Sequence, residues 1–141
     1  MTDTKDKKTD APLENDGEWI QIDAKGKVLG RLACDLAKML LGKDKVDSKR
    51  HEVVSINIVV INTDHVFLTG KKEEQKLYRK YSGYPGGLRE RTVAEQRKRD
   101  SRLIIENAVV GMLPKNKLRS RRMANLHLIP GEDHPFKEQI K

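Results

Sequence analysis

The chain has 141 residues, enough for one domain that buries roughly 70% of its unfolded surface. Apolar residues make up 36% and charged residues 35%, and 29 Lys and Arg against 21 Asp and Glu give a net charge of +8. One cysteine, Cys34, excludes an internal disulfide framework, no apolar run reaches the ~20 residues of a bilayer span, and the N-terminal stretch has neither a signal-peptide nor a transit-peptide pattern. The expected address is the cytosol, with no membrane contact.

Residues 1–17 hold three lysines, five acids and Leu13 as their one sizeable apolar side chain. They are too poor in apolar surface to offset ordering entropy, and read as a disordered acidic leader. That leaves residues 18–141 as a single domain with a net charge of +10. A small domain this basic points first to a polyanion, and among polyanions to nucleic acid.

Order starts with Trp19-Ile20-Gln21-Ile22, a β-prone run closed by Asp23-Ala24-Lys25-Gly26. Leu29, Leu32, Ala33, Leu36, Ala37 and Leu40 then recur at helical spacing, with Arg31, Asp35 and Lys38 opposite and Gly42 as the stop. Cys34 on this helix reads as a small core or boundary residue. A basic connector from Lys43 to Arg50 leads to the run Val53–Ile61. Its second half does not alternate, so both of its faces should be covered, as in a parallel sheet.

Asn62-Thr63-Asp64 is turn chemistry, followed by a short strand Val66-Phe67-Leu68. The segment 71–102 is dominated by charge. Within it, Thr92 and Glu95 have capping-box spacing for a helix over 92–98. Ser101 is placed to cap a further helix with Ile104, Ile105, Ala108, Val109 and Met112 as its apolar face, ended by Gly111 and Pro114. Leu126–Ile129 forms a last strand. This order predicts a three-layer α/β/α domain around a mostly parallel sheet of about four strands.

Three segments carry candidate chemistry. The corner Asp23–Arg31 places Gly26, Lys25, Lys27 and Arg31 before a helix, where free N–H groups and the helix dipole favour anions. Its glycine spacing matches neither a P-loop nor the dinucleotide fingerprint, so the reading is contact with backbone phosphate rather than with a nucleotide cofactor. All three tyrosines fall in Tyr78–Tyr84, interleaved with Arg79 and Lys80 and followed by Pro85-Gly86-Gly87. Aromatic faces can stack on unpaired bases while cations hold phosphate. In the third, Lys115, Lys117, Arg119, Arg121 and Arg122 put five cations in eight positions with no acid among them. The four histidines lack metal-ligand spacing and no nucleophile motif is present, so neither an enzyme nor a cofactor or metal is expected.

These blocks together resemble the family of bacterial-type large-subunit ribosomal protein thirteen. The resemblance runs from Trp19 and the corner Asp23–Ala33 through Ile61–Asp64 and Thr69–Lys72. It continues through Gly83–Leu88 and Ala108–Asn116 to Gly131 and His134-Pro135. It implies an α/β fold, binding to large-subunit ribosomal RNA early in assembly, and neighbouring large-subunit proteins as partners. Some family members are also linked to their own mRNA, an off-ribosome role that sequence does not separate from the first. The candidate RNA-contacting residues are Lys25, Lys27, Arg31, Lys43, Lys71, Lys72, Arg79, Lys80, Tyr81, Tyr84, Arg89, Arg91, Lys115, Asn116, Lys117, Arg119, Arg121 and Arg122. The chain departs from the family pattern at Phe136, where a second histidine is usual, at Arg119-Ser120-Arg121 and in the 47–53 connector.

Overall fold

Six consecutive buried residues, Ile56-Asn57-Ile58-Val59-Val60-Ile61, form the central strand β2. It pairs in parallel with β1 (Glu18–Asp23) on one side and β5 (Leu126–Leu128) on the other. The computed structural model describes residues 17–140 apart from Asp47, so the expected leader lies outside the described residues except for Gly17. A non-alternating apolar strand is stable only when both faces are covered, and each face of β2 is covered differently.

On one face lie Ile20, Ile22, Ile58, Val60, Leu126 and Leu128, packed on helices α1 (Leu29–Leu41) and α4 (Arg102–Met112). The α1 residues predicted from spacing, Leu29, Leu32, Ala33, Leu36, Ala37 and Leu40, are all buried there. Gly42 ends α1 at φ 70°, with its own N–H donating to the Met39 carbonyl (2.9 Å) and the Lys43 N–H to the Lys38 carbonyl (3.1 Å). A side chain at Gly42 would also meet Val54.

The other face carries Trp19, Asn57, Val59 and His127, and the C-terminal segment covers it. Phe136 stacks on Trp19 (5.2 Å between centroids) and lies 4.6 Å from His127, with His134 at 6.4 Å. Trp19 and His127 stack on each other at 5.5 Å. Phe136, the departure from the family pattern, thus supplies the apolar surface that closes this face. Burial lowers the pKa of the half-buried His127 below its ordinary value.

The α/β class and the mostly parallel sheet agree with expectation; several details differ. Three strands, rather than about four, form the parallel sheet. The expected strand 66–68 contributes a single parallel bridge, Val28 to Phe67, in which the Leu29 N–H donates to the Phe67 carbonyl and the Phe67 N–H to that of Lys27. The central strand starts at Ile56 instead of Val53. Cys34 is exposed, because it sits one position past the buried stripe of α1. Met112 is 43% exposed at the end of α4. Ser101 does not cap α4: its hydroxyl pairs with that of Thr63 at 3.1 Å, and Asp100 accepts from the Arg102 N–H instead.

Segment 71–102 holds the largest unpredicted feature. A short helix α2 (Lys72–Gln75) leads into an antiparallel hairpin of β3 (Leu77–Tyr81) and β4 (Leu88–Thr92). The predicted helix α3 (Val93–Arg99) follows, and both hydrogen bonds of the Thr92–Glu95 capping box are made. Arg97 ties α3 back to the body by donating to the Asp64 (3.1 Å) and Val66 (3.0 Å) carbonyls and pairing with Glu73 (3.0 Å). A second short helix, α5 (Leu118–Ala124), precedes β5.

Candidate nucleic-acid interface

In the β3–β4 ladder, Tyr78 lies opposite Arg91 and Lys80 opposite Arg89, so one face of the ribbon presents one tyrosine and three cations. Arg79 lies opposite Glu90 on the other face, and the two form an ion pair of 2.6 Å. The tip turns through Gly83 (φ 87°) and Gly86 (φ 72°). At Gly87 a side chain would collide with the Ser82 hydroxyl and approach the Tyr84 carbonyl to 2.9 Å, so glycine is required for this closure.

The cationic face of the hairpin forms one wall of a cleft of about 640 Å³. Gln96 and Arg99 of α3, and Leu103 and Asn107 of α4, supply the facing wall, while Ser82 and Gly87 sit at the tip end. Among the described residues no acid lines the cleft. Lys80, Arg89, Arg91 and Arg99 make no ion pair among the described residues, so their charge is uncompensated. Like charges held this close repel one another, an arrangement that favours an anion between them. Tyr78 is half-buried under the Lys76 ammonium (5.3 Å from the ring centre), its pKa raised by burial and its hydroxyl without a hydrogen-bond partner.

Of the predicted residues, Lys80, Arg89 and Arg91 line this cleft and Arg79 borders it from the ribbon's other face; Gln96, Arg99, Leu103 and Asn107 line it without having been predicted. Tyr81 and Tyr84 stand on the hairpin, 62% and 76% exposed. Among the unpredicted residues, Leu103 and Asn107 show i, i+4 spacing on a helix already recognised.

The remaining candidates do not line the cleft. Lys25, Lys27 and Arg31 are exposed around the corner before α1, whose first turn holds no acid. The Asp23 carboxylate accepts from the Lys25 N–H (2.9 Å) and the Asn62 amide (3.1 Å), and these bonds lower its pKa. Lys43, Lys71 and Lys72 are exposed at element ends. Lys115, Lys117 and Arg121 are exposed and Arg119 is half-buried, while the Asn116 side-chain oxygen accepts from the Leu118 N–H to start α5.

Arg122 departs from the expectation of an RNA-facing cation. It is 2% exposed, and one terminal nitrogen of its guanidinium donates to the Arg50 and Glu52 carbonyls at 3.3 Å each. It pins the 50–52 connector against α5 and is not available to phosphate. Residues 118–122 of the run 115–122 lie in α5, which turns Arg122 inward.

No helix among the described residues is long and apolar enough to cross a membrane, and no cluster of His, Cys, Asp and Glu there could hold a metal ion. The family profile described as ribosomal protein L13 matches residues 17–135. The chain is 43% identical to the large ribosomal subunit protein uL13 of Rubrobacter xylanophilus over 128 residues, covering 91% of this chain and 90% of that protein. It is 42% identical to the protein of that name from Thermus thermophilus, covering 94% of each. With the Geobacillus kaustophilus protein it shares 44% identity, over 91% of this chain and 88% of the relative. The profile spans the parallel sheet, the hairpin and the cleft together, and the chain belongs to the ribosomal protein L13 family.

Proposed function

We propose that this protein is a non-catalytic structural component of the large ribosomal subunit, which binds large-subunit rRNA and helps the subunit assemble at an early stage. The observation that carries the reading is the acid-free cleft, with four uncompensated cations fixed on a braced hairpin and helix, in a chain whose curated relatives are named large ribosomal subunit protein uL13. Phosphate entering the cleft relieves the repulsion among Lys80, Arg89, Arg91 and Arg99 and releases counterions from the RNA.

The exposed cations at 25–31 and 115–121 form further basic surfaces, and separate surfaces on one rigid body can bridge separate RNA helices. Binding of this kind reads shape and backbone, because A-form grooves hide most base edges. Neighbouring large-subunit proteins complete the environment, in the ribosome of the cytoplasm.

The test is binding to fragments of large-subunit rRNA across a salt series, with an unrelated RNA of equal length beside them. Clear preference for one ribosomal fragment and a steep fall of affinity with salt are expected. Equal binding to both RNAs, or a protein that stays wholly in the soluble fraction when ribosomes from an extract are sedimented at low salt, overturns the reading.

A further inference from the structure

A site that only gripped backbone phosphate would need charge and little else, yet the cleft beneath the hairpin offers more. Between its cations stand neutral directional groups: the Asn107 amide and the Ser82 hydroxyl, while the buried Gln96 amide donates to the Asp100 carbonyl (3.3 Å). A side-chain amide offers a donor and an acceptor side by side, which matches the edge of a base and not the three equivalent oxygens of a phosphate. Leu103 precedes Asn107 by one helical turn, so an apolar surface and an amide share one wall. Leu103 lies beside the buried stripe of Ile104, Ile105 and Val109 and is 37% exposed, leaving apolar area open inside a polar cleft. Tyr78, in the opposite wall, keeps a buried hydroxyl without a partner.

Size decides between the forms of RNA that could enter. A cleft of about 640 Å³ falls in the range of sites that enclose a small molecule. A double helix can only lie across its mouth, whereas a nucleotide turned out of its helix fits within.

We infer that the cleft takes one unpaired RNA nucleotide, its phosphate among Lys80, Arg89, Arg91 and Arg99 and its base against Leu103 and Asn107. This rests on the RNA-binding reading above and adds to it one point at which a base is read. Leu103 covers a base face and Asn107 meets a base edge. The chain therefore prefers an RNA helix interrupted by a bulge to a continuous one.

The experiment titrates the full chain, by fluorescence anisotropy, into a short RNA stem with one bulged nucleotide, made with A, C, G or U, and into the same stem fully paired. At least one bulged stem is expected to bind about tenfold more tightly, the scale of one stacked base contact. A 2-aminopurine bulge should change its emission on binding. Leu103→Ala and Asn107→Ala, both at exposed positions, should weaken the bulged stem and bring the preference to within about twofold. Equal affinity for bulged and paired stems, with steep salt dependence for both, refutes the nucleotide site and leaves the RNA-binding reading standing. Failure to bind either stem or any large-subunit rRNA fragment overturns both.

Discussion

Replacing Lys80, Arg89, Arg91 and Arg99 together by glutamine tests whether the cleft holds phosphate. Each phosphate contact to unpaired RNA contributes about −0.7 to the slope of log K against log salt, so losing four contacts should flatten the slope by about 3. Between about 50 and 200 mM salt, the parent chain should then lose about 50-fold more affinity than the variant. The assay is filter binding or anisotropy with the preferred rRNA fragment, at four or more salt concentrations. A stability measurement keeps the result interpretable, and its expected sign is unusual. None of the four side chains makes an ion pair among the described residues, and they repel one another across an acid-free cleft. Thermal melting of the variant should therefore occur no lower than that of the parent, although most multiple substitutions destabilise. An unchanged salt slope with intact folding would show that these cations do not contact phosphate, and the argument from uncompensated charge would be wrong.

Arg122→Ala leaves the Arg50 and Glu52 carbonyls without their donor and opens a cavity, and should cost about 2–4 kcal/mol in urea unfolding. Gly42→Ala combines a positive φ with a collision against Val54 and should cost about 1–3 kcal/mol, read by the same assay. His127 has its pKa lowered by burial, so between its folded and unfolded values the unfolded chain binds more protons. Its contribution to stability is full above about pH 6.5 and is lost as pH falls through the folded value; melting curves from pH 8 to 5 should show that loss, and His127→Phe should reduce it.

Elements that bury one regular face were legible from residue order. The α1 stripe from Leu29 to Leu40, the non-alternating half of β2 and the Thr92–Glu95 box each encode their environment locally. The hairpin was hidden because little of it beyond Tyr78 reaches the core: one face lines a polar cleft and the other meets solvent. Leu77-Tyr78-Arg79-Lys80-Tyr81 and Leu88-Arg89-Glu90-Arg91-Thr92 thus show no apolar alternation. What holds them is a cross-strand ion pair and a glycine turn, and both stand in the sequence as Arg79, Glu90 and Gly83–Gly87 once the two runs are set against each other. Ser101 shows the converse case. A good cap residue by type was drawn into a hydroxyl pair with Thr63, 38 residues away, and the cap passed to Asp100.

The site was less legible because cations of one type have opposite uses in this fold. Arg79 is spent on Glu90, Arg97 on Glu73 and two carbonyls, Arg102 on Asp100, and Arg122 on carbonyls 70 and 72 residues away. Each of these bonds holds an element in place; carboxylates offset the charge of Arg79, Arg97 and Arg102, and burial keeps Arg122 from the surface. Lys80, Arg89, Arg91 and Arg99 are what is left in the cleft after that subtraction, while Arg79 ties its two strands together and Arg97 ties α3 to the body. Net charge gave the sign of the partner, whereas the location of the free charge depends on which acids and carbonyls the fold brings to the others. A count of cations along 115–122 therefore overstates that run, and the cleft gathers cations from three elements that no local count would join.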